Sequence, residues 1–350
     1  MSISKIFFVL AILITSSNVS AQNTIKELTV QKGVSIRSLS VPSEKVIWAS
    51  GSKGMIAKSI NEGLTFEWMQ VKGYEKRDFR AMHAWNDQEA IIVAVAAPAV
   101  ILKTKDGGTS WYTVYENKDT AMFLDALQFK DSKNGIVIGD PIDGVVFMLT
   151  SNNKGESWSK VPASYFKSSL HQGEAFFASS NSNLVHVGKS LFLVTGGLKS
   201  RIWNNGVAAD LPLLQGTNST GANSIAVSPN RQKLVIVGGD FTQDKLSDKN
   251  IAGYRLLLEP KSDQKQLTEK KTILQPVLLG TPNGYKSCVE FINNQLIVTA
   301  GTSGVDISED GGKQWDKISD ASFHVIKRHA NKKGAYLAGT GGRISYIQFQ

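Results

Sequence analysis

An eight-residue pattern recurs four times in this chain, and a repeated turn limits the possible folds more than any single motif. The copies are Ser59-Ile60-Asn61-Glu62-Gly63-Leu64-Thr65-Phe66, Thr104-Lys105-Asp106-Gly107-Gly108-Thr109-Ser110-Trp111, Ser151-Asn152-Asn153-Lys154-Gly155-Glu156-Ser157-Trp158 and Ser308-Glu309-Asp310-Gly311-Gly312-Lys313-Gln314-Trp315. Each opens on a hydroxyl, has Asp or Asn two residues on, Gly four on and an aromatic seven on. The starts lie 45 and then 47 residues apart, and the last gap of 157 leaves room for two degenerate units. Such periods belong to units that bury their faces only against their neighbours.

A second feature keeps the same period. Apolar, β-branched runs ending in a small residue fall at 46–51, 90–97, 135–139, 191–196, 234–238, 296–301 and 335–339. Runs of this kind, bounded by glycine, read as strands buried on both faces. Helical periodicity nowhere exceeds a turn or two. The expectation is an all-β, seven-bladed β-propeller. The last unit ends soon after Arg343-Ile344-Ser345-Tyr346-Ile347, without room for an outer strand. Thr24 to Val30 supplies one from the other end, so this strand is expected to close the last blade and hide its edge. The repeated turns should join the third strand of a unit to the fourth, at the rim. There Asp or Asn accepts backbone N–H groups, Gly takes positive φ and the aromatic packs the turn down. They are read as structural.

Residues 1–21 are set apart from this domain. Lys5 precedes the apolar run Ile6 to Ile14, and Val19-Ser20-Ala21 forms a small-x-small site, the pattern of an export signal cut near Ala21. A membrane span needs about 20 apolar residues, and this run is too short. The mature chain, 22–350, is expected to be one propeller domain, monomeric, periplasmic or secreted. Its single cysteine, Cys288, excludes an internal disulfide. The net charge of +9 is spread among acids rather than gathered in a block, which argues against a nucleic-acid partner.

The boxes match bacterial neuraminidase repeats, the Asp boxes. Together with "DFRAMHAW", "NGIVIGDPIDG", "GEAFFAS", "GGLKSRIW", "GTSGVDISEDGGKQW" and "GRISYI", the chain after the signal resembles the secreted propellers grouped with photosystem II stability/assembly factors. The resemblance implies a module that binds a partner protein on its propeller surface.

In a propeller, loops from the second strand to the third share one face with loops leading into the next blade's innermost strand. The first kind carries Pro98, Asp140, Asp143, Lys199, Arg201, Asp240 and Arg343. The second carries Arg77, Arg80, Asp119, Asp125, His171, Glu174, Tyr285, Lys286 and His324. These polar groups should converge on one channel mouth, and loops on a rigid scaffold are where sites usually occur. The expected binding residues are Arg80, Asp125, Asp140, Asp143, Glu174, Arg201, Asp240, Tyr285 and His324, facing a protein or glycan partner.

The competing reading is a sialidase-like glycan hydrolase. It would use Arg80, Arg201 and Arg343 for a substrate carboxylate, Tyr285 with Glu174 as nucleophile pair, and Asp125 as acid. The Arg-Ile-Pro signature of sialidases is missing, because Trp203 follows Arg201-Ile202 and Ser345 follows Arg343-Ile344. No cofactor is expected, since no glycine pair opens a helix or completes a dinucleotide fingerprint. No metal is expected either, since the five histidines lack ligand spacing. Binding is favoured over catalysis.

Overall fold

The computed structural model describes residues 24–258, 272–331 and 333–349. The export signal expected at residues 1–21 lies outside the described residues. Antiparallel sheets follow one another along the chain as seven blades, spanning residues 36–70, 79–117, 124–160, 184–210, 220–277, 288–319 and 325–348. Each buried apolar run forms the second strand of its blade, from Ile47–Gly51 in blade 1 to Gly334–Ala338 in blade 7. Several of these strands are buried along their whole length, as expected where sheets stack face to face.

The ring closes as expected. Ile25–Val30 pairs antiparallel with Arg343–Gln348 and becomes the outer strand of blade 7. At the inner end, the Ile36 N–H donates to Gly339 O at 3.1 Å, joining blade 1 to blade 7. One apolar cluster runs through blades 6, 7 and 1, from Cys288 and Val298 past Tyr336 to Ile47. The core therefore lies between blades, and no blade could keep it dry alone.

All four repeated turns join third strands to fourth strands and share one hydrogen-bond set. Ser308 Oγ accepts the Gly312 N–H at 2.8 Å and donates to Asp310 Oδ1 at 2.9 Å, and Asp310 Oδ1 accepts the Gln314 N–H at 3.0 Å. The matching bonds recur at Ser59–Asn61, Thr104–Asp106 and Ser151–Asn153. Gly63, Gly108, Gly155 and Gly312 all have φ between 75° and 96°, a region that side-chain-bearing residues rarely adopt.

The turns also hold neighbouring blades together. The carbonyl at the fourth position of each accepts a bond from the preceding blade. Lys58 Nζ reaches Gly107 O at 2.7 Å, Lys103 Nζ reaches Lys154 O at 2.9 Å, Lys233 Nζ reaches Gly311 O at 2.9 Å, and Tyr336 Oη reaches Glu62 O at 3.1 Å. Sequence spacing places the staple within a blade. The structure shows that it also clamps the joint between blades, including the joint where the ring closes.

Candidate functional site

The first strand of each blade lines the axis, and in four blades it carries a β-bulge at one polar residue. Pairing skips from Ile36 to Ser38, from Phe79 to Ala81, from Leu124 to Ala126 and from Ala222 to Ser224. The residues left out of register are Arg37, Arg80, Asp125 and Asn223. A bulge frees a residue from strict alternation and re-aims its side chain. The fold thus turns a polar group toward one end of the axis in blades 1, 2, 3 and 5.

At that end lies a cavity of about 470 Å³, whose walls include Arg37, Arg80, Asp140, Tyr285, His324 and Asn223. Phe123, Phe176, Phe177 and Phe241 supply its apolar surface. Phe177, Phe241 and Tyr285 form an edge-to-face series with ring centroids 6.0 and 6.3 Å apart. Tyr285 Oη donates to Asn223 Oδ1 at 2.9 Å.

Charge here is not evenly matched. Arg80 Nε donates to Asp78 Oδ2 at 2.7 Å, but its terminal nitrogens make no hydrogen bond among the described residues. Arg37 makes no hydrogen bond or ion pair there at all. Burial, with Arg80 nearby, pulls the Arg37 pKa below its ordinary value. Burial and the two arginines hold the His324 imidazole down to about 3, so it is neutral, with Nε2 at 3.0 Å from Thr340 Oγ1. Burial raises the Asp140 carboxyl to about 6, although Oδ1 accepts the Phe176 N–H at 3.1 Å. Asp125 is fully buried, and burial and the Asp140 charge push its pKa well up. An arginine left without a partner in a cavity is costly unless a ligand completes it.

The cavity has a floor. Asn181 Nδ2 donates to Ser38 Oγ at 3.1 Å and Met82 O at 3.0 Å, and its Oδ1 accepts the Leu127 N–H at 2.7 Å. Ser180 Oγ donates to Ser287 O at 2.7 Å, and Ser182 Oγ to Ser224 Oγ at 2.8 Å. Three consecutive residues therefore bond to blades 1, 2, 3, 5 and 6, which is possible only on the axis. Residues 180–182 plug the channel, and Phe176 to Ser179 face the cavity above.

The expected site residues divide accordingly. Arg80, Asp140, Tyr285 and His324 meet at the cavity, with Asp125 buried in the electrostatic neighbourhood of Asp140 and Arg80. Glu174 and Arg201 do not line it. They form a buried ion pair, in which Glu174 Oε2 accepts Arg201 Nη2 at 2.5 Å and Oε1 accepts Arg201 Nε at 3.1 Å. Glu174 Oε1 further accepts Thr195 Oγ1 at 2.6 Å and Trp203 Nε1 at 3.2 Å, while Arg201 Nη2 donates to Ser169 O at 2.7 Å. Glu174 is committed inside the fold, and Arg201 spends Nε and Nη2 on Glu174 and Ser169 rather than on the cavity. Asp240 is buried and accepts Thr242 N–H and Oγ1–H at 2.9 and 2.7 Å. Asp143 is exposed at a turn with φ 52°. Arg343 sits 5.2 Å over the Phe323 ring. Of the six residues a sialidase-like mechanism would need, only Arg80 and Tyr285 line the cavity.

Arg37, Phe123, Phe176, Phe177, Asn223 and Phe241 are cavity residues that sequence reasoning missed. A signal for two of them existed. Ile36-Arg37-Ser38, Phe79-Arg80-Ala81, Leu124-Asp125-Ala126 and Ala222-Asn223-Ser224 share an apolar–polar–small order. Aligning first strands rather than turns would have shown it.

Fold and site together define a seven-bladed propeller with a plugged axis and an arginine- and phenylalanine-lined mouth. Among solved structures, one described as "YCF48 bound to D1 peptide" aligns with a TM-score of 0.60 at 14% identity, covering 94% of this chain and 97% of that one. "YCF48 from Cyanidioschyzon merolae" aligns at 0.57 and 15% identity, covering 93% and 98%. "Structure of U3-55K" aligns at 0.59 and 13%, covering 94% and 99%. At these identities the likeness is one of fold. No family model and no curated protein matches the sequence.

Proposed function

We propose that the chain is an extracytoplasmic binding propeller, similar in role to an assembly factor, that captures a polypeptide segment at the arginine-lined mouth. One observation carries this reading: among the described residues Arg37 makes no hydrogen bond or ion pair, beside Arg80 in a cavity walled by four phenylalanines. A guanidinium pair fits a carboxylate, and flat aromatic walls fit the apolar side chains that accompany it. The peptide bound in the first solved structure above supports a polypeptide rather than a glycan as the ligand. The apolar run and small-x-small site at the amino terminus support action outside the cytoplasm.

The test is fluorescence anisotropy with labelled peptides that carry an aromatic residue next to a carboxylate. Saturable binding is expected, weakened on the order of tenfold or more by Arg37→Ala or Arg80→Ala, the usual cost of losing one charged contact. Equal binding of a peptide with its carboxylates amidated would refute the reading. Amino-terminal sequencing of the chain recovered from its own cell envelope tests export, with Gln22 expected as the first residue.

A further inference from the structure

The plug leaves a second, separate cavity at the other end of the axis, about 370 Å³ in volume, with Asn181 and Ser182 among its walls. All seven blades contribute to it, but unequally. Blades 4 and 5 present apolar groups, Leu184, Val185, Ile225 and Val227. Blades 6 and 7 present Glu290 and Lys327, and Gln128 lies across from them on blade 3. The size falls within the range of about 300–1,000 Å³ that encloses small molecules.

Its polar groups are not spent on one another. Lys327 makes no ion pair and no hydrogen bond among the described residues. Among the described residues Glu290 accepts the Arg328 backbone N–H, and it feels Lys327 and, less strongly, Arg328 as nearby charges without an ion pair to either. Burial pushes the Glu290 carboxyl upward, so its ionised form lacks the solvation it needs. Gln128 Oε1 is buried with no hydrogen bond among the described residues. His83 is held between Trp85 and Phe129, each ring 4.8 Å away, and burial lowers its pKa to about 4, so it adds no charge. Arg328, also in the wall, donates through Nη1 to Ile292 O at 3.4 Å.

A carboxylate and an ammonium that face one cavity, do not close on each other and share it with the apolar groups of blades 4 and 5 fit a ligand of one kind. Its own ammonium meets Glu290, its own carboxylate meets Lys327, and its hydrocarbon part lies against blades 4 and 5. We propose that this cavity is a binding site for a free apolar α-amino acid. A purely anionic ligand would leave Glu290 repelled, and a purely cationic one would leave Lys327 repelled. The zwitterion satisfies both.

The experiment is isothermal titration of the folded protein with L-leucine, L-isoleucine, L-valine, L-methionine and L-phenylalanine, each alone. At least one is expected to bind with a stoichiometry of one. N-acetyl-leucine, lacking the ammonium, and leucinamide, lacking the carboxylate, are expected to compete on the order of tenfold less well. Glu290→Gln and Lys327→Met should each weaken binding by a similar factor, with circular dichroism confirming that the variants fold. If a variant does not fold, the analogue competition on the unaltered protein still decides. No saturable binding of any of the five, or equal competition by the N-acetyl and amide derivatives, overturns the assignment.

Discussion

The rim and the axis of this ring treat polar groups in opposite ways. At the rim, four turns repeat one set of hydrogen bonds, and the inward-facing hydroxyl of each is fully used. At the axis, the polar residues differ from blade to blade, and among the described residues Arg37 and Thr302 Oγ1 make no hydrogen bond. Regular, satisfied groups stabilise the fold. Irregular, unsatisfied ones in a cavity are left for something outside the chain. Glu174 and Arg201 sharpen the contrast, because they stand near the axis in sequence order yet behave like rim residues.

The largest effect expected from this contrast is at that pair. Arg201→Ala strands a buried carboxylate and should cost about 3–5 kcal/mol of stability, read as a lower denaturant midpoint. Peptide capture by the fraction that remains folded should persist. A stable Arg201→Ala protein that has lost capture would move the residue back into the site. Next is the plug: Asn181→Ala leaves the Leu127 N–H without its acceptor and removes the bonds to Ser38 and Met82. A loss of roughly 1–3 kcal/mol is expected, again from the unfolding midpoint. A neutral result would mean that water fills the axis as well as the side chain does.

A smaller effect belongs to a single rim turn. Ser308→Ala removes an acceptor from the Gly312 N–H and a donor to Asp310. A loss of about 1 kcal/mol is expected, with no change in capture. The smallest effect is one of pH. The folded Asp140 carboxyl titrates near 6, above its unfolded value of about 3.9. The folded state holds the extra proton between those values, so this group's contribution to stability falls as pH rises through that window. Capture of an anionic peptide should accordingly strengthen a few-fold from pH 7 to pH 5, as a neutral Asp140 no longer repels the carboxylate that enters the cavity. In Asp140→Asn that pH dependence should flatten. His324, held near 3, stays neutral throughout and cannot account for such a trend.

Much of the architecture was legible before any coordinates. Turn spacing gave the unit, the seven glycine-bounded runs gave the count, and the spare strand before Val30 gave the closure. The turns and the runs are local patterns whose physical cause lies within a few residues, so the order of residues is enough to reveal them, and the closure follows from counting strands in each unit. The face of the ring that carries the mouth was also legible, since strand order alone decides which loops share it. Arg80, Asp140, Tyr285 and His324 followed from that.

Partnership was decided only in three dimensions. Nothing in the order of residues distinguishes Arg201, paired with Glu174, from Arg37, which makes no hydrogen bond or ion pair among the described residues. Whether a guanidinium is free depends on what lies within about 3 Å of it, and here that means residues dozens of positions away. The plug makes the same point: Asn181 meets Ser38 across 143 positions of chain. Periodicity is written along the chain. The pairing of buried charge is settled where distant segments meet, and there this protein keeps its two axial cavities.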